Sequence, residues 1–180
     1  MDLDSTLKIS DIISGISLLI TIVGGFFALY QWRRNIALKR ASYINDLTEK
    51  IRTDPDIHGI VYLLDYNQEW YNAEFHESGE QERKVDKTLS FFSYICYLKK
   101  HRLIGRKDFN FFKYEIERIL MNSGVQDYLY NLYHYSNKYD LPLTFFFLFK
   151  YGKKHKYFDS DFYCPTAYLR TNKYSHNLNF

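Results

Sequence analysis

The chain has 180 residues, with 24 Lys and Arg against 21 Asp and Glu and a formal net charge of +3. That balance excludes a strongly cationic nucleic-acid binder and an acidic disordered chain, and 2 Cys exclude a disulfide scaffold or a C-x-x-C zinc site. The outlier is 18 Tyr, 15 Phe and 2 Trp; with scarce Ala and abundant Lys, Asn and Ile, this matches an AT-rich coding bias, so the total carries no function by itself.

Residues 1–11 read as a short extracytoplasmic N-terminus carrying Asp2, Asp4, Lys8 and Asp11. From Ile12 to Trp32 there are 21 residues without a charged side chain. About 20 apolar residues cross a hydrocarbon core of roughly 30 Å as a helix, so 12–32 is expected to be a transmembrane helix in the lipid bilayer. Tyr30 and Trp32 supply an interfacial rim, and Arg33, Arg34, Lys39 and Arg40 follow at once. The positive-inside rule keeps that basic flank in the cytoplasm, placing the N-terminus outside and the C-terminus inside. No A-x-A-like cleavage site follows the run, so the span reads as retained rather than as a removed signal peptide. Both Cys are then expected as free thiols.

Within the span, Ser10, Ser14, Ser17, Thr21, Gly24 and Ala28 recur at intervals of 4, 3, 4, 3 and 4. Small stripes let helix backbones approach closely in lipid, although Ser and Thr also bond their own i−4 carbonyls. The heptad predicts a homo-oligomer associating through Ser14, Ser17, Thr21, Gly24 and Ala28.

Residues 33–53 contain neither Gly nor Pro and are expected to extend the helix to Thr53, where Pro55 disfavours helical geometry at Asp54. Residues 54–156 then read as a cytoplasmic domain of short amphipathic helices. Asp56 is expected to cap a helix carrying Ile57, Ile60, Val61 and Leu64. Ser78 with Gln81 resembles a capping box, opening a helix with Val85, Leu89, Phe92 and Cys96 inward and Gly105 past its end. Asp108 is expected to cap the next, with Phe112, Ile116, Ile119 and Leu120 inward. Gly124 separates it from a helix bearing Val125, Leu129 and Leu132, and Asp140-Leu141-Pro142 opens a last one through Phe149, ended by Gly152. The fold class is all-α: one N-terminal transmembrane helix continuing into a cytoplasmic helix, then a small helical bundle. Residues 157–180 lack periodicity and read as an irregular tail that packs through its aromatics if it orders.

Charge is segregated along the chain. Residues 54–82 hold eight acids and no Lys or Arg, whereas 83–107 hold Arg83, Lys84, Lys87, Lys99, Lys100, Arg102, Arg106 and Lys107 against Asp86. Two readings stay open. Either neighbouring helices complement one another, or Lys99, Lys100, His101 and Arg102 form a basic pocket for a phosphate-bearing ligand. The segment Leu141–Phe149, trailed by Lys150, Lys153, Lys154, His155 and Lys156, is too short to span. It reads as a buried bundle helix or as an interfacial helix on anionic lipid.

No H-E-x-x-H, Walker loop, G-x-G-x-x-G or G-x-S-x-G occurs, so a protein without enzymatic activity, cofactor or metal is expected. Cys96 falls on an apolar helix face and reads as an inert thiol. Helical ribonucleases of the HEPN type place Arg and His a few residues apart; Arg52…His58 and Arg170…His176 have that spacing and are the catalytic candidates of an alternative reading.

In layout the chain resembles uncharacterised bacterial inner-membrane proteins with one N-terminal span and a small helical cytoplasmic domain. The resemblance runs from DIISGISLLITIVGGFFALYQWRRN through IRTDPDIHGIVYLLDYNQEWYN to KTLSFFSYICYLKKHRLI. Some proteins of this layout look like membrane effectors of phage-defence operons, and the resemblance implies that role. The expectations are therefore a self-associating membrane protein with a cytoplasmic sensing domain, a membrane-tethered ribonuclease, or a constitutive scaffold for a cytoplasmic protein. Nucleic acid is not expected as a partner.

Overall fold

A computed structural model describes residues 9–66, 69–72, 74–175 and 178. Among these residues the chain is all-α, with seven α-helices and two short 3-10 turns. It divides into two compact units, residues 1–45 and 46–180.

Helix α1, Ile9–Thr53, is 45 residues long and supplies all the described residues of the first unit. Its most apolar stretch has a mean hydropathy of 2.3 and no buried residue, so it is long and apolar enough to cross a membrane. The Thr21 hydroxyl donates to the Ser17 carbonyl at 2.9 Å, the local bond open to any helical Thr. The flanking Asp2, Asp4 and Lys8 lie outside the described residues.

In the second unit, α2 spans Pro55–Asp65 and α3 Phe75–Ser78, followed by α4 (Glu80–Lys100), α5 (Arg106–Met121), α6 (Ser123–Lys138) and α7 (Phe146–His155). The apolar positions face inward as their period requires: Ile57, Phe92, Ile95, Phe112, Ile116, Ile119, Leu129 and Leu148 are all buried. Each such side chain contributes about 1.5–3 kcal/mol by leaving water. Helix α4 is central, packing on α2, α3, α5 and α7.

The helix boundaries correct several sequence expectations. Asp54, not Asp56, caps α2: its carboxylate accepts from the Asp56 and Ile57 amides, with Pro55 in the first turn. Helix α4 is capped by Gly79, at φ 60°, rather than by Ser78. Gly105 is extended and begins α5, while Asp108 accepts from the Gly105 N–H at 2.9 Å instead of occupying the cap position itself. Asn122 caps α6 by accepting from Val125 N–H at 3.1 Å. Asp140, at φ 52°, closes the C-terminus of α6, where Leu141 N–H returns to Ser136 O at 2.9 Å, and α7 begins only at Phe146.

Gly124 and Gly152 lie inside helices rather than ending them. A Cβ on Gly124 would stand 2.9 Å from the Trp70 indole nitrogen, and one on Gly152 would run into the Phe158 ring. Gly124 thus admits Trp70 from a distant segment, and Gly152 admits Phe158 from the chain just past α7.

That packing accounts for much of the aromatic excess. Trp70, Tyr71, Phe75 and Tyr128 form an edge-to-face cluster, with Phe75 at 5.3 Å from both Trp70 and Tyr71 and 5.4 Å from Tyr128. In the tail, 3-10 turns at Asp161–Tyr163 and Ala167–Leu169 hold Phe162 and Tyr174 against Tyr130 of α6 at 5.5 and 5.3 Å. The tail is irregular, but Phe158, Phe162, Ala167 and Tyr174 are buried.

Candidate functional site

Three helices of the second unit each turn one face toward a common cavity of about 870 Å³. From α4 come Cys96, Lys99 and Lys100; from α5, Arg106, Phe109, Asn110 and Lys113; from α7, Phe147, Lys150, Tyr151 and Lys154, joined by Lys153 and His155. Spacings of three and four are those of a single helical stripe, so each wall follows from its own sequence. Arg102 reaches the cavity from the turn between α4 and α5.

Cations dominate this lining. It carries six Lys and two Arg and no carboxylate, and none of the described carboxylates forms an ion pair with Lys99, Lys100, Arg102, Arg106, Lys150, Lys153 or Lys154. Lys113 alone of the eight is paired, with Glu117 at 3.5 Å. Cations gathered without counter-charges focus a positive potential into a cleft. Lys99, Lys100, Lys153 and Lys154 sit in the last turns of α4 and α7, where the helix dipole favours them. Arg106 does not share that explanation, since it opens α5 at the end where the dipole disfavours a cation.

Arg102 has φ 59°. It occupies the left-handed position of a Schellman turn: Leu103 N–H bonds Leu98 O at 2.9 Å and Arg102 N–H bonds Lys99 O at 3.2 Å. Gly is the usual residue there, and an L side chain is strained.

The floor is aromatic and sulfur. Phe109 is buried, with the Lys99 ammonium 5.6 Å from its ring centre and Tyr151 at 5.5 Å. Phe147 and Tyr151 are half-buried on successive turns of α7. Burial pushes the Cys96 thiol up to about 12, so it stays protonated and inert at neutral pH. Burial and then the Glu117 carboxylate raise the Tyr151 phenol. The cations can hold a multiply charged anion, and the ring faces beside them can pack a planar or apolar group.

Of the predicted pocket residues, Lys99, Lys100 and Arg102 line the cavity, while His101 packs on Tyr97 and Phe147 at 4.4 and 5.8 Å. The segregated charges have two fates in the fold. Lys87 donates to Asp54 and Asp56 at 2.8 Å each, holding both carboxyls below the usual range, and Lys84 bonds Glu80 at 2.6 Å. Beyond Lys87, Lys99, Lys100, Arg102 and Arg106 turn to the cavity, while Lys107 is exposed outside it. Of Leu141–Phe149, the residues from Phe146 on belong to bundle helix α7, with Leu148 and Phe149 buried, and α7 delivers its lysines to the same cavity.

Arg52 and His58 lie on α1 and α2, both exposed, with His58 on Tyr62 at 4.5 Å; neither lines the cavity. Arg170 pairs with Asp161 at 3.1 Å, and His176 lies outside the described residues. Ser14, Ser17, Thr21, Gly24 and Ala28 are exposed along α1, and a Cβ on Gly24 would meet nothing within 4 Å. Among the described residues no group of His, Cys, Asp and Glu is placed to hold a metal.

Fold and site together define a class, an all-α chain with one membrane-length helix and a helical unit bearing a cationic, aromatic-floored cavity. Compared with known families, characterised proteins and solved structures, the chain has no significant match.

Proposed function

We propose that this chain is a membrane-anchored sensor that binds a phosphate-bearing anion in the basic cavity of its second unit. The carrying observation is the convergence of eight cations from α4, α5, α7 and the α4–α5 turn with no carboxylate among them. Residues 12–32 serve as the anchor in a bacterial inner membrane, with the N-terminus outside and residues 33–180 in the cytoplasm. Supporting this are the apolar length of α1, its unbroken course through Arg33–Arg40 to Thr53, and the basic flank. Calorimetric titration of the full chain in detergent micelles with sodium tripolyphosphate tests the binding. Lys150→Glu with Lys154→Glu, both exposed, should weaken it at least about tenfold, since charge-assisted contacts are worth about 1.5–3 kcal/mol. Unchanged affinity would overturn the proposal.

A second reading is favoured by the uncovered small-residue face of α1. It makes the span a self-association surface, and the chain an effector assembled at the membrane when the ligand binds, as its layout resemblance to defence effectors implies. Thr21→Leu with Gly24→Leu should then reduce the oligomer size in detergent, measured by light scattering; an unchanged size counts against it.

A further inference from the structure

We infer that the occupant of the cavity is a nucleoside polyphosphate, an identification that rests on the cavity being an anion site. The face of α7 alternates ring and cation: Phe147 and Tyr151 stand one turn apart, with Lys150 and Lys154 beside them. A phosphate alone needs the cations and makes no use of the rings. A planar base stacks on a half-buried aromatic face, and Asn110 on the facing helix offers both a donor and an acceptor to a base edge.

Charge and size agree with that choice. The cavity of about 870 Å³ lies in the range that holds a drug-sized organic ligand. Its cations approach from two walls, the α4–α5 corner and α7, so they match an extended polyphosphate better than one compact dianion. Arg102 offers a planar fork for phosphate oxygens, and it stands at a backbone position where Gly would be unstrained. A lipid headgroup is disfavoured by the lining itself, which contains no Leu, Ile, Val or Met to receive acyl chains.

The test compares ATP and GTP with sodium tripolyphosphate, inorganic phosphate and phosphatidylglycerol vesicles, each titrated into the full chain in detergent micelles or, for vesicles, by flotation. At least one nucleotide should bind about tenfold or more tightly than tripolyphosphate. Phe147→Leu should cut nucleotide affinity by a larger factor than tripolyphosphate affinity, so that the advantage disappears. Photolabelling of the unaltered protein with 8-azido-ATP needs no variant, and the adduct should map to residues 146–155. Equal affinities for nucleotide and tripolyphosphate, or adducts confined elsewhere, would overturn the nucleotide and leave the anion site standing. Binding only to phosphatidylglycerol vesicles would replace the nucleotide with a headgroup. Binding of none of these probes would remove both the nucleotide and the anion site.

Discussion

Arg102→Gly should raise the stability of the protein and lower its affinity for a polyphosphate at the same time. Arg102 is held at φ 59° in the turn closing α4. An L residue in that region costs about 1–2 kcal/mol, and Gly returns about 0.5–1 kcal/mol of this through its greater freedom in the unfolded chain. The net gain is about 0.5–1 kcal/mol, or about 1–4 °C in Tm for a chain of this size. Removing one guanidinium from the cavity should weaken tripolyphosphate binding about tenfold. Lys156 is the matched control. It sits at φ 61° in a second turn of the same kind, with Tyr157 N–H on Gly152 O at 3.1 Å, and it does not line the cavity. Lys156→Gly should give the stability gain without the loss of binding. Circular dichroism melts and calorimetric titration read the two effects. A lower Tm for Arg102→Gly, or equal binding by both variants, would refute the reasoning.

Gly152→Ala should destabilise despite the better helix propensity of Ala. The gain of about 1 kcal/mol is outweighed by about 1–3 kcal/mol of overpacking as the new methyl meets the Phe158 ring, and a melt measures the difference. Asp86→Asn should stabilise near pH 7. Burial holds the Asp86 carboxyl above its ordinary value of 3.8, and Tyr128 donates to it at 2.7 Å. A carboxyl raised in the folded state favours folding most when protonated, and that contribution is lost as pH rises through its folded value. Asn keeps an acceptor for Tyr128, so the gain should vanish below pH 3.8, where both states of the wild type are protonated. Ellman titration should find Cys164 reactive in the folded protein and Cys96 reactive only on unfolding. The first is half-buried, with its thiol pKa lowered by a hydrogen bond to Thr166; the second is buried with its pKa pushed up to about 12.

The helices were legible because each inward face repeats at helical spacing. Period alone turns Phe112, Ile116, Ile119 and Leu120 of α5 inward, and all four are buried. Their ends are harder to read, because two acids or glycines within a few residues compete for one cap and the backbone geometry and packing decide. Pro55 in the first turn of α2 pushes the cap back to Asp54, and no local pattern announces that Gly124 makes room for Trp70 or Gly152 for Phe158. The site divides in the same way. Lys99, Lys100 and Arg102 stand together in sequence and were visible as a cluster. Arg106, Lys113, Lys150, Lys153 and Lys154 join them only because α7 packs on α4 beside α5. Each wall has a readable stripe, but the meeting of the stripes is tertiary. The aromatic total likewise reflects packing, with the tail rings closing over Tyr130.

Lysine acylation footprinting, read by mass spectrometry on the full chain with and without tripolyphosphate, tests the anion cavity most directly. Bound ligand should protect Lys99, Lys100, Lys150 and Lys154 together, because all four line one cavity. Lys107, Lys138 and Lys156 are exposed outside it and should react unchanged. Protection spread evenly over every lysine, or absent from the α7 pair while present on α4, would contradict a single anion site shared by these helices.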